Sequence, residues 1–165
     1  MESDLAPTVR AAQRGDTMAM NALVDELMPY IGRICRAIAL DRGDDATQEA
    51  LISILRNLRQ LRDPGALRAW ARRIATREAV RVARQRSAGT AELPDDIAAP
   101  GHSSLTVEVR DQLERMAPEH RAILVLRDIE GLSEQEAAAV LHVARGTVKS
   151  RLHRARARFR QEWTQ

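Results

Sequence analysis

Seven basic side chains stand between Ala144 and Arg160: Arg145, Lys149, Arg151, Arg154, Arg156, Arg158 and Arg160, with no acid among them. Guanidinium and ammonium groups at this density neutralise phosphates and donate hydrogen bonds to base edges. The residue patterns that do covalent chemistry are missing. The four histidines, His102, His120, His142 and His153, show no metal-ligand spacing, and there is no phosphate-cradling glycine loop or nucleophile motif. A single cysteine, Cys35, excludes an internal disulfide and any cysteine-cluster metal site, and its apolar helical setting points to a buried thiol. We therefore expect no catalytic centre, no metal and no cofactor. The chemistry on offer is recognition of a polyanion.

The spacing around the basic run is that of a helix-turn-helix. In "LSEQEAAAVLHVARGTVKSRLHRAR", Leu132–Arg156, Ser133 and Glu136 form a capping box, and Ala138 is small where two helices must approach. Val143 and Val148 are apolar plugs for the angle between them. On the second helix Val148, Leu152, Ala155 and Phe159 share one face and should point inward. Lys149, Ser150, His153 and Arg154 then lie on the outer strip, with the donor and acceptor types that read a major groove. Arg145, Thr147, Arg151, Arg156 and Arg158 flank it, placed for phosphates, which position a helix without reading sequence.

The elements that must carry this strip are helical. The 165 residues are 44% hydrophobic but only 2% aromatic, so the core is aliphatic, and Ala, Leu and Arg favour helix over strand. The predicted fold is all-α, with two small helical domains, 1–86 and 105–165, joined by a flexible acidic linker, 87–104. Gly15 stops a short first helix and Asp16 caps the next, in which Met20, Leu23, Leu27, Ile31, Ile34 and Ile38 form one stripe. Asp41–Asp45 is a break. A third helix follows with Leu51, Ile54 or Leu55, Leu58 and Leu61 inward. After the turn Arg62–Gly65 comes a fourth, in which Trp70, Ile74, Val80 and Val82 alternate with arginines, and Trp70 is read as a core anchor. Ser87–Ser104 has no helical period, three acids and no Lys or Arg. Further helices are expected near Leu105–Met116, Pro118–Glu130, Ser133–Leu141 and Gly146–Trp163.

Charge is segregated along this plan. Residues 68–86 carry seven bases and one acid, and 133–165 carry seven and three, whereas 87–132 carry four and nine. Two basic blocks separated by acidic chain suggest two contacts with one nucleic acid. No apolar run is long enough to span a bilayer, and the first ten residues lack a signal peptide's apolar block, so membrane insertion is not expected and a reducing cytoplasm is.

The segment "PEHRAILVLRDIEGLSEQEAAAVLHVARGTVKSRLHRAR" closely resembles region 4 of extracytoplasmic-function (ECF) sigma factors, the small two-domain members of the sigma-70 family of bacterial RNA polymerase subunits. "RGDTMAMNALVDELMPYIGRICRA", "DDATQEALISILRNL" and "WARRIATREAVRVARQR" resemble region 2. The resemblance implies a promoter-specificity subunit whose partners are core RNA polymerase, through the clamp helices of its largest subunit and the flap of the second-largest, promoter DNA, and an anti-sigma protein. Asp45, Gln48 and Glu49 match the acidic patch that faces the clamp helices. The turn beginning at Arg62 and Asp63 resembles the loop that captures a flipped base of the −10 element. Trp70, Arg72, Arg73 and Arg77 match the −10-reading helix, and Lys149, Ser150, His153 and Arg154 match the positions facing the −35 element. The linker resembles the segment threaded through the polymerase channel.

Three residues depart from the family pattern. Arg77 stands where Asn is usual, His142 where Gly is usual, and Ala144 where Ser or Pro usually opens the recognition helix. Losing that cap costs about 1 kcal/mol. A free-standing helix-turn-helix regulator is the alternative reading; it accounts for residues 118–163 and leaves the N-terminal half without a role.

Overall fold

The computed structural model describes residues 4–88 and 104–161. The chain divides into two compact units, Met1–Val82 and Ala83–Gln165. Among the described residues every regular element is a helix, as composition predicts.

In the first unit, local signals set where helices start and stop. The first helix, α1 (Ala6–Gln13), ends at Gly15, whose φ of +96° a side chain would oppose. Asp16 then caps α2 (Thr17–Ala39), its carboxylate accepting from the Ala19 N–H at 3.0 Å. The predicted stripe holds from Leu23 onward: Leu23, Leu27, Ile31, Ile34 and Ile38 are all buried, whereas Met20 at its start is only partly buried. Full burial of each contributes about 1.5–3 kcal/mol. The break after α2 falls one residue earlier than expected, at the short 3₁₀ turn Leu40–Arg42, and Leu40 takes a φ of +54° to make it.

Helix α3 (Gly43–Asn57) begins against α2 so closely that a Cβ on Gly43 would lie 2.6 Å from the Arg36 Cα. Its inward residues are Ala46, Ala50, Leu51 and Ile54. The chain after α3 is tied back to α1: the Gln13 amide donates to the Leu58 carbonyl at 2.9 Å and to the Leu61 carbonyl at 2.8 Å. Asp63 closes the following turn by accepting from the Gly65 N–H at 2.9 Å.

Helix α4 (Leu67–Ala88) corrects one expectation. Its buried stripe is Leu67, Ala71, Ala75, Ala79 and Val82, with Val80 and Ala83 beside it. Trp70 and Ile74 are only partly buried, so Trp70 is no core anchor. An alanine stripe lets helices approach more closely than a stripe with an indole, and the bulkier residues move to its edge. Cys35 packs here, fully buried, its thiol 3.8 Å from the Ala75 carbonyl.

The second unit contains α5 (Ser104–Glu114), α6 (Pro118–Leu124), α7 (Glu134–Leu141) and α8 (Arg145–Gln161). Ser87 and Ala88 are helical, and Ser104 opens α5. The rest of the expected linker, 89–103, lies outside the described residues, as does the predicted end of the last helix at Trp163. Pro118 opens α6, but the helix expected to reach Glu130 changes at Val125–Ile129 into a π-turn. Arg121 of α6 is buried and donates to the Leu113 and Met116 carbonyls at 2.9 and 2.6 Å, supplying partners that the end of α5 lacks. The core here joins Leu126, Leu132, Ala137, Ala138, Val140 and Val148, with Leu141 and Val143 packed on it.

Candidate nucleic-acid interface

The helix-turn-helix is assembled by two local devices. The Ser133 hydroxyl accepts from the Glu136 N–H at 3.1 Å, and the Glu136 carboxylate accepts from the Ser133 N–H at 2.7 Å, so the capping box at the start of α7 is complete. At the other end His142 adopts the left-handed conformation, φ 51° and ψ 46°, and its N–H reaches the Ala138 carbonyl. Val143 donates to the same carbonyl at 3.1 Å. The Ala144 carbonyl accepts from Thr147 and Val148, so Ala144 holds the capping position of α8 without a side chain to cap it.

On α8, Val148, Leu152 and Ala155 are buried, and Phe159 is partly buried. Lys149, Ser150, His153 and Arg154 are all exposed, and they stand on one strip as the spacing predicts. The Ser150 hydroxyl donates back to the Thr147 carbonyl at 3.1 Å, leaving its oxygen to accept. Thr147 itself is half-buried.

The flanking cations divide into two sets that the sequence does not distinguish. Arg145 pairs with Glu134 of α7 at 3.2 Å. Arg156 is held by both carboxylate oxygens of Asp128, which the π-turn presents to it. Lys149, Arg151, Arg154 and Arg158 have no ion-pair or hydrogen-bond partner among the described residues. The four remain available to an external anion. Their field is felt locally: burial first, then the Arg151 guanidinium, holds His120 of α6 below the usual histidine range.

The first unit offers a second basic surface. Trp70, Arg73, Ile74 and Arg77 of α4 line a hollow of about 520 Å³ with Asn57 and Gln60 from the end of α3 and the turn after it. Arg73 and Arg77 are exposed and have no partner among the described residues, while Arg72 is half-buried. Arg81, at the same hollow, is engaged by Glu78 at 2.8 Å and by Glu49 at 3.6 Å. Gln60 donates to Asn57 at 3.0 Å, and Asn57 donates to the Ser53 carbonyl at 2.8 Å. The lining thus brings one indole and the Ile74 side chain beside two guanidiniums without partners among the described residues, in an otherwise polar hollow, a combination that suits an unstacked base and its phosphates. Arg62 and Asp63 are exposed on the turn before α4. The sequence reading missed Asn57 and Gln60; their signal is only that polar amides follow the last apolar position of α3.

Asp45, Gln48 and Glu49 share an exposed face of α3. Asp45 pairs with Arg42 at 3.1 Å. Ile52, about two helical turns beyond Asp45 and one beyond Glu49, is exposed on the same face, and its relative accessibility of 43% makes it an apolar residue left uncovered beside acids. The arrangement fits a partner with both cationic and apolar groups.

Comparison with known proteins bears on both surfaces. The model of Sigma-70 region 2 matches residues 23–89, and that of Sigma-70 region 4 matches residues 106–159. The chain is 33% identical over 163 residues to the ECF RNA polymerase sigma factor SigE of Mycolicibacterium smegmatis, covering 88% of this chain and 63% of that one. It is 32% identical over 164 residues to the ECF RNA polymerase sigma factor SigM of Mycobacterium tuberculosis, covering 96% and 84%. Among solved structures, the sigma factor RpoE in complex with the anti-sigma factor NepR from Bartonella quintana superposes with a TM-score of 0.65 at 22% identity, over 86% of this chain and 94% of that one. The region 2 match accounts for the N-terminal half, which a free-standing helix-turn-helix regulator would leave without a role.

Proposed function

This chain belongs to the ECF sigma factors of the sigma-70 family, and from that premise we propose how its residues direct RNA polymerase to a promoter. Residues 105–165 act as the −35 module and residues 1–86 as the core-binding and −10 module, with 87–104 as the tether. Lys149, Ser150, His153 and Arg154 enter the major groove and read the −35 element. Arg151 and Arg158 hold phosphates there, with Arg145, Thr147 and Arg156 at the margins. In the first module Trp70, Arg72, Arg73 and Arg77, with Arg62 and Asp63, take the opened −10 strand. Asp45, Gln48 and Glu49, joined by Ile52, dock on the clamp helices of the largest polymerase subunit, and the second module meets the flap of the second-largest. The polymerase supplies all of the bond-making.

Two modest contacts joined by a tether act as one strong contact only when both DNA boxes lie within reach at once. The spacing of the two boxes therefore becomes part of the specificity. Among the described residues no helix is long and apolar enough to cross a membrane. We place the protein in the cytoplasm with the polymerase. The Bartonella quintana neighbour is held by an anti-sigma factor, and a protein of that kind is proposed to mask these surfaces until a signal arrives.

The observation that carries this reading is the outer strip of α8, where exposed cations without ion-pair partners among the described residues stand above an intact buried stripe. The test is run-off transcription on genomic fragments with core polymerase, with and without the chain. New start sites that appear only with the chain are expected. Identical start-site choice in its absence would overturn the proposal.

A further inference from the structure

Helices α1 and α2 carry none of the residues assigned above to DNA or polymerase, yet each sends side chains to the turn between α3 and α4. That turn, residues 62–66, is a thin surface piece. Arg62, Asp63 and Gly65 are exposed, and its one regular feature is the short 3₁₀ segment Pro64–Ala66. Its own bonds are local: the Gly65 N–H donates to the Asp63 carboxylate at 2.9 Å, and the Ala66 N–H to the Asp63 carbonyl at 3.0 Å. Such bonds fix the shape of a turn and leave open where it sits.

At the leading end the hold comes from α1. The half-buried Gln13 amide donates to the Leu58 carbonyl at 2.9 Å and to the Leu61 carbonyl at 2.8 Å. Carbonyls at a helix end lack partners within the helix, and here one side chain supplies both. Leu58 and Leu61 are buried as well. Apolar packing alone tolerates sliding, whereas an amide with both protons engaged sets direction as well as distance.

At the trailing end the hold comes from α2. Leu67 is buried, and Arg68 beside it in the first turn of α4 pairs with Glu26 at 2.7 Å. The Arg68 guanidinium also stands 5.5 Å from the centre of the Tyr30 ring, with Arg33 at 5.6 Å from the same ring. Glu26 and Tyr30 are four residues apart and share one face of α2. The ion pair by itself is exposed and weak, but the half-buried ring gives the guanidinium a second contact with its own preferred direction. Arg68 is thereby engaged within its own unit.

Resting on the reading that this turn receives a base of the −10 element, we infer that Gln13, Glu26 and Tyr30 are positioning residues for base capture. They touch no DNA. They hold the two ends of the turn, and so place Arg62 and Asp63 where the base must enter. Recognition needs its groups held within about 0.5 Å, and a misplacement of about 1 Å costs up to about 100-fold.

The test uses holoenzyme reconstituted with core polymerase and run-off transcription from a promoter this chain opens, with each −10 position substituted in turn. The captured base is the one whose substitution lowers the wild-type transcript most. The readout is the ratio of transcript from the best base to that from the worst at that position. Q13L and E26A/Y30A should each lower the ratio about tenfold, the effect of a shift of a fraction of an ångström. E26Q/Y30F keeps an acceptor for Arg68 and an aromatic ring, and should keep the ratio. Asp16→Ala, which removes the cap of α2 far from the turn, should lower the Tm and leave the ratio as in wild type. An unchanged ratio in Q13L or in E26A/Y30A overturns the inference. An equal fall in Asp16→Ala also overturns it, because the effect would then be one of stability alone. A wild-type chain that shows no base preference at any −10 position is a different result and removes the −10 reading itself.

Discussion

Replacing Arg154 and Arg156 in turn separates base reading from anchoring on a single helix. Arg154 is exposed, stands on the outer strip of α8 and has no partner among the described residues. Nothing must be broken for it to reach a base edge. A good bidentate arginine–base contact is worth about 1–3 kcal/mol of discrimination, or roughly 5- to 150-fold. Arg156 is also exposed, but Asp128 grips it through both carboxylate oxygens, with side-chain accessibilities of 48% and 37%. A pair this exposed is screened by solvent and contributes about 0.2–1 kcal/mol. Any phosphate contact made by Arg156 gives up that amount. Arg154→Ala should therefore weaken binding to the preferred −35 element by 1–3 kcal/mol and flatten the response to base changes there. Arg156→Ala should lower affinity by less, uniformly across sequences. Asp128→Asn should do the opposite, raising affinity up to about fivefold and steepening the salt slope by about 0.9, because it releases one cation toward duplex phosphate. The assay is fluorescence anisotropy of holoenzyme on promoter duplexes with single −35 substitutions, at about 50 and 200 mM salt. If Arg154→Ala weakens every duplex equally, Arg154 does not read bases. If Asp128→Asn leaves affinity and slope unchanged, the Asp128 pair does not compete with DNA.

Three further outcomes follow from the geometry. Ser133→Ala removes half of a complete capping box and should destabilise the second unit by about 1 kcal/mol, seen as a lower Tm by circular dichroism. Burial pushes the Cys35 thiol up to about 12 from its ordinary value of 9.0. The folded state therefore resists ionisation that the unfolded state undergoes. Stability should be full below pH 9 and fall between about pH 9 and 12, a loss that Cys35→Ala reduces in urea titrations compared at neutral and alkaline pH. Asp45→Arg reverses one charge of the exposed α3 strip and should weaken core-polymerase pull-down about tenfold or more, while circular dichroism stays unchanged because the Arg42 pair it breaks is solvent-exposed.

Much of this architecture was legible because it is built from local spacing. Asp16 at the head of α2, the Ser133–Glu136 box and the stripe from Leu23 to Ile38 each rest on residues three or four apart, which helix geometry makes neighbours. The strip Lys149, Ser150, His153 and Arg154 was legible for the same reason, since a buried stripe fixes what lies opposite it. His142 stands where the resembled family usually has Gly, and the left-handed conformation it adopts there is the reason Gly suits the position. Helix α4 was misread for a physical reason as well. Alanine contributes little to a hydrophobic count, so Trp70 and Ile74 outweighed Ala71, Ala75 and Ala79, although close helix contact selects the small residues. The π-turn Val125–Ile129 leaves no trace in an apolar period, because one extra residue per turn shifts the stripe by less than the stripe's own width. Arg121 reads as a surface charge, and only the carbonyls at the end of α5 explain its burial.

Charge counting carried the functional reading furthest and also misled it most. It identified α8 as a cationic surface, but it treated Arg145 and Arg156 as equal to Arg151 and Arg158. The fold distinguishes them with acids from other elements: Glu134 from the first turn of α7, and Asp128 from the π-turn. Both carboxylates restrain cations that flank the outer strip proposed to read bases, while Lys149 and Arg154 on the strip itself stay without ion partners among the described residues. A helix with every cation free would bind any duplex through phosphate attraction alone, and that sequence-independent term would compete with base reading. Neutralising the flanks lowers that background without touching the strip. The same division recurs in the first unit, where Arg81 is engaged by two glutamates while Arg73 and Arg77 beside it at the hollow have no such partner. What matters for recognition is therefore which arginines the fold leaves unmatched, and that is decided by long-range pairs rather than by the number of arginines in the sequence.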